Sequence, residues 1–194
     1  MPLPLSTSRK KLHTRSIHCE GFQREDGLWD IEATLVDTKS RTYSNHDRGN
    51  IPAGEPIHEM QIRITLDLEL CIRHVETSIS YTPFRICPNA AASMKKIEGL
   101  TIGSGWMREV RKRIPATDSC THLIELLGPL STTAYQTMHM ALEEKAKQLA
   151  AQQETNGKGK QRRSAPPILD QCHSLASHSS VVKAVWPEFY TGEK

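Results

Sequence analysis

Residues 58–66 read His-Glu-Met-Gln-Ile-Arg-Ile-Thr-Leu, and their polarity alternates with a period of two. Apolar side chains occupy one parity from Met60 to Leu66, and polar or charged side chains occupy the other. This pattern is typical of a β-strand with one buried and one exposed face. His58 shares the parity of the apolar side chains, so its imidazole is predicted to point toward the core at the start of the strand.

Three more segments predict a sheet of about four strands around this one. Residues 15–22 and 29–35 flank an Asp26-Gly27 turn signal, which is typical of a β-hairpin. A turn at 67–69 leads into a returning strand over 70–79. The simplest arrangement of these segments is an antiparallel meander.

After Pro83 the apolar residues recur with helical spacing. The sequence therefore predicts an α+β fold, in which an antiparallel sheet of about four strands in the N-terminal half is packed by helices from the C-terminal half. Gly128-Pro129 is predicted to break or kink the last helix. The predicted helices cover residues 86–99, 106–114 and 118–152, the last with Asp118 or Ser119 as its N-cap.

The composition of the chain changes near its C-terminal end. Residues 1–152 are predicted to form the α+β core domain, 153–167 a flexible linker, and 168–194 a segment that docks back on the core. Residues 38–54 are polar and contain Pro52 and Gly54, so they are predicted to form a long loop. Long loops in compact domains are often functional, and this one is expected to border a site.

Composition limits the class of protein. The chain has 194 residues, a mean hydropathy of -0.50 and five cysteines, and it has no apolar run long enough to cross a bilayer. Its N-terminus is unlike a secretory signal, so we expect a soluble, cytoplasmic protein with free thiols. The net charge of +3 and an aromatic content of 5%, not interleaved with the basic runs, argue against nucleic acid as a partner. The expected partner is a small-molecule substrate, and we expect no association with a membrane. Whether the chain forms a homo-oligomer is left open.

His58 is the first candidate for chemistry. Its side chain is predicted to be a general acid or base, or a metal ligand, at the mouth of a pocket, because a histidine titrates near neutral pH. Glu55 in the neighbouring loop lies within reach as part of the rim. The alternative is a buried neutral histidine that is hydrogen-bonded to the backbone.

Cys120 and His122 form the second candidate. Cys120 is predicted to lie in the first turn of a helix, where unpaired N–H groups and the helix dipole favour a thiolate. His122 serves the same site only if that site lies at the helix end. The alternative is a cysteine that packs the cap and a histidine on the surface.

A soft metal site is the third candidate. Cys87, Cys120, His122 and Cys172 would supply its ligands if the fold brings them together. The chain has no C-x-x-C and no H-E-x-x-H motif, so the specificity of this signal is low. A divalent metal is therefore left open as a cofactor. The chain also lacks the dinucleotide-binding, Walker A and G-x-S-x-G motifs.

Several segments are distinctive in combination: Leu12-His-Thr-Arg-Ser-Ile17, Arg24-Glu-Asp-Gly-Leu-Trp-Asp-Ile-Glu32, Ala53-Gly-Glu-Pro-Ile-His58, Ile86-Cys-Pro88 and Cys120-Thr-His-Leu123 with Glu125-Leu-Leu127. Together these segments resemble a bacterial family catalogued as a domain of unknown function (DUF2889). The resemblance implies a bacterial cytoplasmic protein encoded near genes for aromatic or acyl-CoA catabolism. A more distant similarity, in architecture alone, is to scaffold proteins for iron–sulfur cluster assembly.

These observations lead to three functional hypotheses. The first is a small catabolic enzyme, of the lyase, isomerase or hydrolase type, that acts on an aromatic or acyl substrate with His58 as acid or base. Cys120 or His122 would assist it, and Arg15, Arg85 and Glu55 are the predicted substrate-binding residues. The second is a metal- or iron–sulfur-binding accessory protein that uses Cys87, Cys120 and His122. The third is a non-catalytic module that binds another protein.

Overall fold

The computed structural model describes residues 3–155, 165–166 and 168–192. The chain divides into two units, Met1–Leu142 and Glu143–Lys194. Most of the predicted linker, 153–167, lies outside the described residues, although its first three residues continue a helix. Docking of residues 168–194 on the core stays a prediction.

The first unit contains a four-stranded antiparallel sheet, which confirms the α+β class and the meander. Its strands follow the order β1-β2-β5-β6. The predicted loop at 38–54 is wrong in part, because β2 extends to Lys39 and two short strands form a separate hairpin. The strands are β1 His13–Gln23, β2 Trp29–Lys39, β3 Tyr43–Asn45, β4 Gly49–Ile51, β5 Pro56–Leu66 and β6 Ile72–Tyr81.

The two central strands supply one face of the core. In β2 the side chains alternate between buried and half-buried from Trp29 onward, and in β5 the buried side chains include Met60, Ile62 and Ile64. This agrees with the parity read from the sequence, because one face of these strands is covered by helices. Trp29, Ile31, Ala33 and Leu35 of β2 therefore pack in the same core as the β5 side chains.

Helices from the second half of the chain cover this face. A 3₁₀ helix over Cys87–Ile97 is followed by α1 Trp106–Arg113, a short 3₁₀ turn Ala116–Asp118, and α2 Thr121–Thr155. The predicted break at Gly128-Pro129 is wrong, because α2 continues through Pro129. Packing outweighs the local cost of the proline: α2 is held to the core on both sides of it. Its fully buried side chains are Leu123, Leu126, Leu127, Leu130, Ala134 and Met138.

Helix α2 approaches the edge strand β1 closely at one point. A Cβ atom added to Gly21 would lie 1.8 Å from Oγ1 of Thr137, a separation that no real contact allows. Glycine at this position therefore lets the helix pack directly against the strand. The start of the same helix lies at the other end of the strand, next to the site described below.

The second unit contains the end of α2, a 3₁₀ turn His173–Leu175, α3 Ser180–Val185 and a 3₁₀ turn Pro187–Phe189. Ser179 caps α3, with its hydroxyl accepting a hydrogen bond of 3.1 Å from the N–H of Val182. Among the helices that the structure describes, none has both the length and the apolar character needed to cross a membrane.

Candidate functional site

Asp37 lies at the centre of a row of polar side chains that crosses three strands. Its direct cross-strand partners are Arg15 on β1 and His58 on β5. Opposite residues of antiparallel strands project from the same face, so the three side chains meet. Asp37 continues the parity of the buried β2 side chains and is only 1% exposed.

The sequence interpretation missed Asp37, although a signal for it exists. The alternation that begins at Trp29 was followed only to Leu35, and the next residue of the same parity is Asp37. An aspartate at a core position must be paired or hydrogen-bonded, because an isolated buried charge is costly. A bulge in the ladder follows Asp37 directly, so that the next pair joins Thr38 to Pro56. Bulges of this kind commonly redirect side chains beside functional sites.

Each carboxylate oxygen of Asp37 takes part in two hydrogen bonds. Arg15 donates from Nε to Oδ1 at 2.8 Å and from Nη2 to Oδ2 at 2.7 Å. His13 Nε2 lies 3.1 Å from Oδ1, and His58 Nδ1 lies 3.0 Å from Oδ2. Burial favours the neutral acid, but the Arg15 hydrogen bonds and charge outweigh it and lower the pKa of Asp37 to about 2. The aspartate is therefore charged at neutral pH, and its acceptor sites are filled.

The first turns of α2 complete the cluster from the helix side. His122 Nε2 lies 3.7 Å from Asp37 Oδ2, and Glu125 Oε2 accepts a hydrogen bond of 2.6 Å from Nη1 of Arg15. His122 and Glu125 are three residues apart and share one helix face. Sequence reasoning also missed Glu125 and His13 as site residues, although both lie in segments that carry the family resemblance. The hydrogen bond fastens the start of α2 to the edge strand.

Of the histidines around Asp37, His58 and His122 have rings that stack at an angle. The ring centroids of His58 and His122 are 4.0 Å apart, with 35° between the planes. Burial and the neighbouring His122 lower the pKa of His58, and burial and the charge of Arg15 lower the pKa of His122. Both imidazoles are therefore neutral at neutral pH. The contact of His58 Nδ1 with the Asp37 carboxylate selects the tautomer with hydrogen on Nδ1, and Nε2 is left as an acceptor.

An open pocket of about 640 Å³ lies beside these histidines. His58 and His122 line it together with Cys120, and most of the pocket surface is apolar. The other lining residues are Met60, Pro83, Phe84, Ile86, Cys87, Asn89, Ala90, Thr117, Asp118, Ser119 and Thr121. The predicted pocket at His58 is therefore present, and it brings His58, Cys120 and His122 together.

Cys120 is positioned differently from the prediction. It directly precedes α2, which begins at Thr121, so it occupies the cap position and not the first turn. Its carbonyl accepts the hydrogen bond from Ile124 N at 3.1 Å. The Sγ atom lies 3.8 Å from His122 Nδ1 and 3.7 Å from Met60 Sδ. The thiol thus contacts one of the two site histidines.

The other predicted site residues lie apart from this pocket or at its rim. Cys87 lines it, whereas Arg15, Glu55 and Arg85 are not among the described residues that do. Glu55 pairs with Arg48, and the exposed Arg85 donates its backbone N–H to Asp47 at 2.9 Å. A substrate-binding role for Arg15, Glu55 and Arg85 stays a prediction.

The cysteines are all free, and their grouping differs from the predicted metal set. Cys172 is exposed and belongs to the second unit. Within the described ranges, one group has ligand atoms at metal-binding spacing: Asp37, His58 and His122, all within 4.8 Å of one another. Of the four residues predicted for the soft metal site, only His122 belongs to this group, which also contains His58, the histidine predicted separately as a possible metal ligand.

Comparison with known proteins places the site within a family match. Residues 13–136 match the model of a family described as a protein of unknown function (DUF2889). The matched range contains every residue of the pocket and every residue of the cluster around Asp37, which consists of His13, Arg15, Asp37, His58, His122 and Glu125. No curated protein and no solved structure matches the chain.

Proposed function

The chain belongs to the DUF2889 family, and we propose that this protein is a small acid–base enzyme in which His58 exchanges a proton with a bound substrate. The single observation that carries the proposal is the contact of 3.0 Å between His58 Nδ1 and Asp37 Oδ2. It orients the ring of a pocket-lining histidine and leaves Nε2 as the nitrogen that can take a proton. A carboxylate that orients an imidazole in this way also stabilises the imidazolium formed during reaction.

The electrostatics of the site suit a general base. A base must be unprotonated at the working pH, and its pKa should lie close to that pH. Burial and His122 lower the pKa of His58 from its usual value, whereas Asp37 opposes the shift. His58 therefore stays neutral before reaction and still gains a charged partner when it is protonated.

The pocket indicates the class of substrate. Phe84, Ile86 and Met60 give it apolar walls, and a volume of about 640 Å³ accommodates a small molecule. Arg15, whose charge acts on both His58 and His122, is already paired with Asp37 and Glu125. We therefore infer a substrate with an aromatic or acyl body, recognised mainly by apolar contact. A lyase, isomerase or hydrolase reaction fits one oriented base.

A metal centre is the second candidate, because Asp37, His58 and His122 have the spacing of metal ligands. Neutral imidazoles are good ligands for Zn²⁺. The occupancy of Asp37 ranks this candidate lower: both of its oxygens accept from Arg15, so a bound cation would have to share the carboxylate with a guanidinium. An iron–sulfur role would rest on Cys87 and Cys120, which line the same pocket.

Replacing His58 tests the acid–base proposal. A panel of aromatic and acyl compounds is incubated with the protein in D₂O, and NMR follows deuterium uptake next to carbonyl groups and bond cleavage. We expect His58→Gln to lower the observed rate by about 10²–10⁴-fold. His18→Gln is the matched control, because His18 lies on β1 with 72% of its side chain exposed. Equal rates for His58→Gln and the unchanged protein would refute the proposal.

A tautomer measurement tests the same proposal without a substrate. Long-range ¹H–¹⁵N NMR at pH 7 should show His58 as the neutral tautomer with hydrogen on Nδ1.

For the metal candidate, protein purified without a metal-affinity tag is analysed for bound metal and then titrated with Zn²⁺. Stoichiometric binding that is lost in both His58→Gln and His122→Gln would favour a metal centre over the acid–base enzyme.

A further inference from the structure

We propose that Cys120 is a nucleophile that accepts an acyl group from an ester or thioester, with His122 as its base. The proposal rests on the proposed function, because it uses the same pocket, and it specifies the substrate class as activated acyl compounds. It also assigns different tasks to His58 and His122, the two histidines that contact Asp37 and line the pocket.

The contacts of His122 carry the first step of the argument. Its Nδ1 lies 3.8 Å from Cys120 Sγ, and its Nε2 lies 3.7 Å from Asp37 Oδ2. A thiol, an imidazole and a carboxylate thus follow one another, with the two ring nitrogens of His122 facing opposite partners. This is the arrangement by which a base oriented by a third group activates a nucleophile.

The protonation state of His122 supports the same role. Burial and the charge of Arg15 lower its pKa, so the ring is neutral and able to accept the thiol proton. The Asp37 carboxylate then faces the imidazolium that results. Cys120 itself is half-buried and lines the pocket, so its sulfur is accessible to a bound substrate.

The start of α2 supplies the second element that acyl transfer needs. The helix begins at Thr121, and the first backbone bond that closes on Cys120 comes from Ile124. The N–H groups of the preceding residues in the first turn have no intrahelical acceptor. They lie immediately after the nucleophile, where the positive end of the helix favours the oxyanion of a tetrahedral intermediate.

Acylation balances without any further reactant. Cys120 gives its S–H proton to His122 Nδ1 and forms an S–C bond to the carbonyl carbon. The bond from that carbon to the leaving oxygen or sulfur breaks, and the leaving group departs with the proton from His122.

Deacylation uses water and the second histidine. His58 Nε2 takes a proton from water as the water oxygen attacks the acyl carbon. The S–C bond then breaks, and the sulfur of Cys120 recovers its proton from His58. His122 therefore serves acyl uptake, and His58 serves acyl release.

Stoichiometric acylation tests the proposal on the full chain. p-Nitrophenyl acetate is mixed with an equal amount of protein at pH 7.5, and peptide mass spectrometry of quenched samples gives the acetylation rate of each cysteine. Cys120 should acetylate about 10²-fold faster than Cys87, which lines the same pocket and is the matched internal control. His122→Gln should remove this excess, whereas His58→Gln should let the acetyl group accumulate on Cys120.

The outcomes separate this inference from the proposed function. An acetylation rate of Cys120 equal to that of Cys87, or unchanged in His122→Gln, overturns the inference. If Cys120→Ala still supports turnover that His58→Gln abolishes, His58 acts on the substrate or on water directly; the inference fails and the proposed function stands. If Cys120 acetylates rapidly and His58→Gln changes neither turnover nor release of the acetyl group, the proposed function fails. Far-ultraviolet circular dichroism of each variant establishes that it is folded.

Discussion

Asp37 and His58 are direct cross-strand partners whose side chains meet at 3.0 Å. The orientation of the imidazole is therefore set by the register of two central strands and not by a loop. Strands hold side chains more rigidly than loops do, and a base on a strand keeps its direction without substrate. The same carboxylate also holds Arg15 and lies within 3.7 Å of His122. One buried charge thus organises side chains from three strands and a helix.

Asp37→Asn should destabilise the protein. The amide cannot accept from Arg15 and both neighbouring histidines, so it leaves buried groups unpaired. Because Arg15 keeps partial access to water, we expect a loss of about 2–3 kcal/mol in the free energy of unfolding, measured in urea at pH 7. Asp26→Asn is the control: Asp26 pairs with Arg24 on the surface, where solvent screens the pair, so this variant should destabilise the protein far less than Asp37→Asn. Equal effects in the two variants would contradict the central role of Asp37.

The effect of Asp37 on stability should depend on pH. Its folded-state pKa of about 2 lies below the ordinary value, so its contribution is fully present above about pH 4 and is lost as the pH falls toward 2. The difference in unfolding free energy between the unchanged protein and Asp37→Asn should therefore shrink by about 2 kcal/mol between pH 5 and pH 2. A difference that stays constant over this range would show that the carboxylate has an ordinary pKa.

The pH dependence of turnover should reveal the state of the two histidines. Both must be neutral to act as bases, and their pKa values are lowered, so the rate should fall on the acid side at a pH below the usual histidine value of about 6.5. The stability that these neutral rings contribute is present above pH 6.5 and is lost as the pH falls through the folded-state pKa. NMR titration of the imidazoles gives both values. A midpoint above 6.5 for His58 would contradict the lowered pKa and would mean that the Asp37 carboxylate outweighs burial and His122.

Gly21→Ala should separate close packing from chain flexibility. The new methyl group would meet Thr137 at 1.8 Å, so α2 or β1 must shift, and we expect a loss of about 1–3 kcal/mol in the free energy of unfolding. Gly128→Ala is the opposite control: nothing lies within 4 Å of its added methyl group and it is inside α2, so it should stabilise by about 0.5–1 kcal/mol. Thermal and urea unfolding measure both. The same sign for the two variants would contradict the predicted clash.

The sequence allowed the sheet to be predicted because one-sided burial leaves a period of two in β2 and β5. His58 was identified in the same way, through its parity with Met60. Asp37 could not be predicted in this way, because a charged residue at a core position indicates the end of a strand unless its ion-pair partner is known. Arg15, the main partner of Asp37, precedes it by 22 residues, and no local pattern connects them.

The helices were harder to delimit for a similar reason. Pro129 is a strong local signal for a break, but buried leucines on both sides of it keep α2 continuous. The shift of Cys120 from the first turn to the cap is a difference of one residue, which is within the usual scatter of helix ends. The hairpin of β3 and β4 involves three residues per strand, too few to give an alternating pattern.

Two of the contacts between β1 and α2, Arg15 with Glu125 and Gly21 with Thr137, are separated by similar distances along the strand and along the helix. From Arg15 to Gly21 the strand spans about 20 Å, and from Glu125 to Thr137 the helix spans about 18 Å. The first half of the helix therefore runs alongside the strand in the same direction and contacts it near both ends of the strand. Inserting or deleting one residue between Glu125 and Thr137 would turn the helix start by about 100° relative to the Gly21 contact, which would carry His122 away from Asp37. Substitution of the exposed residues in this stretch of helix is thus compatible with the site, whereas a change in its length is not, and natural variants should differ at these exposed positions in residue type but not in the number of residues.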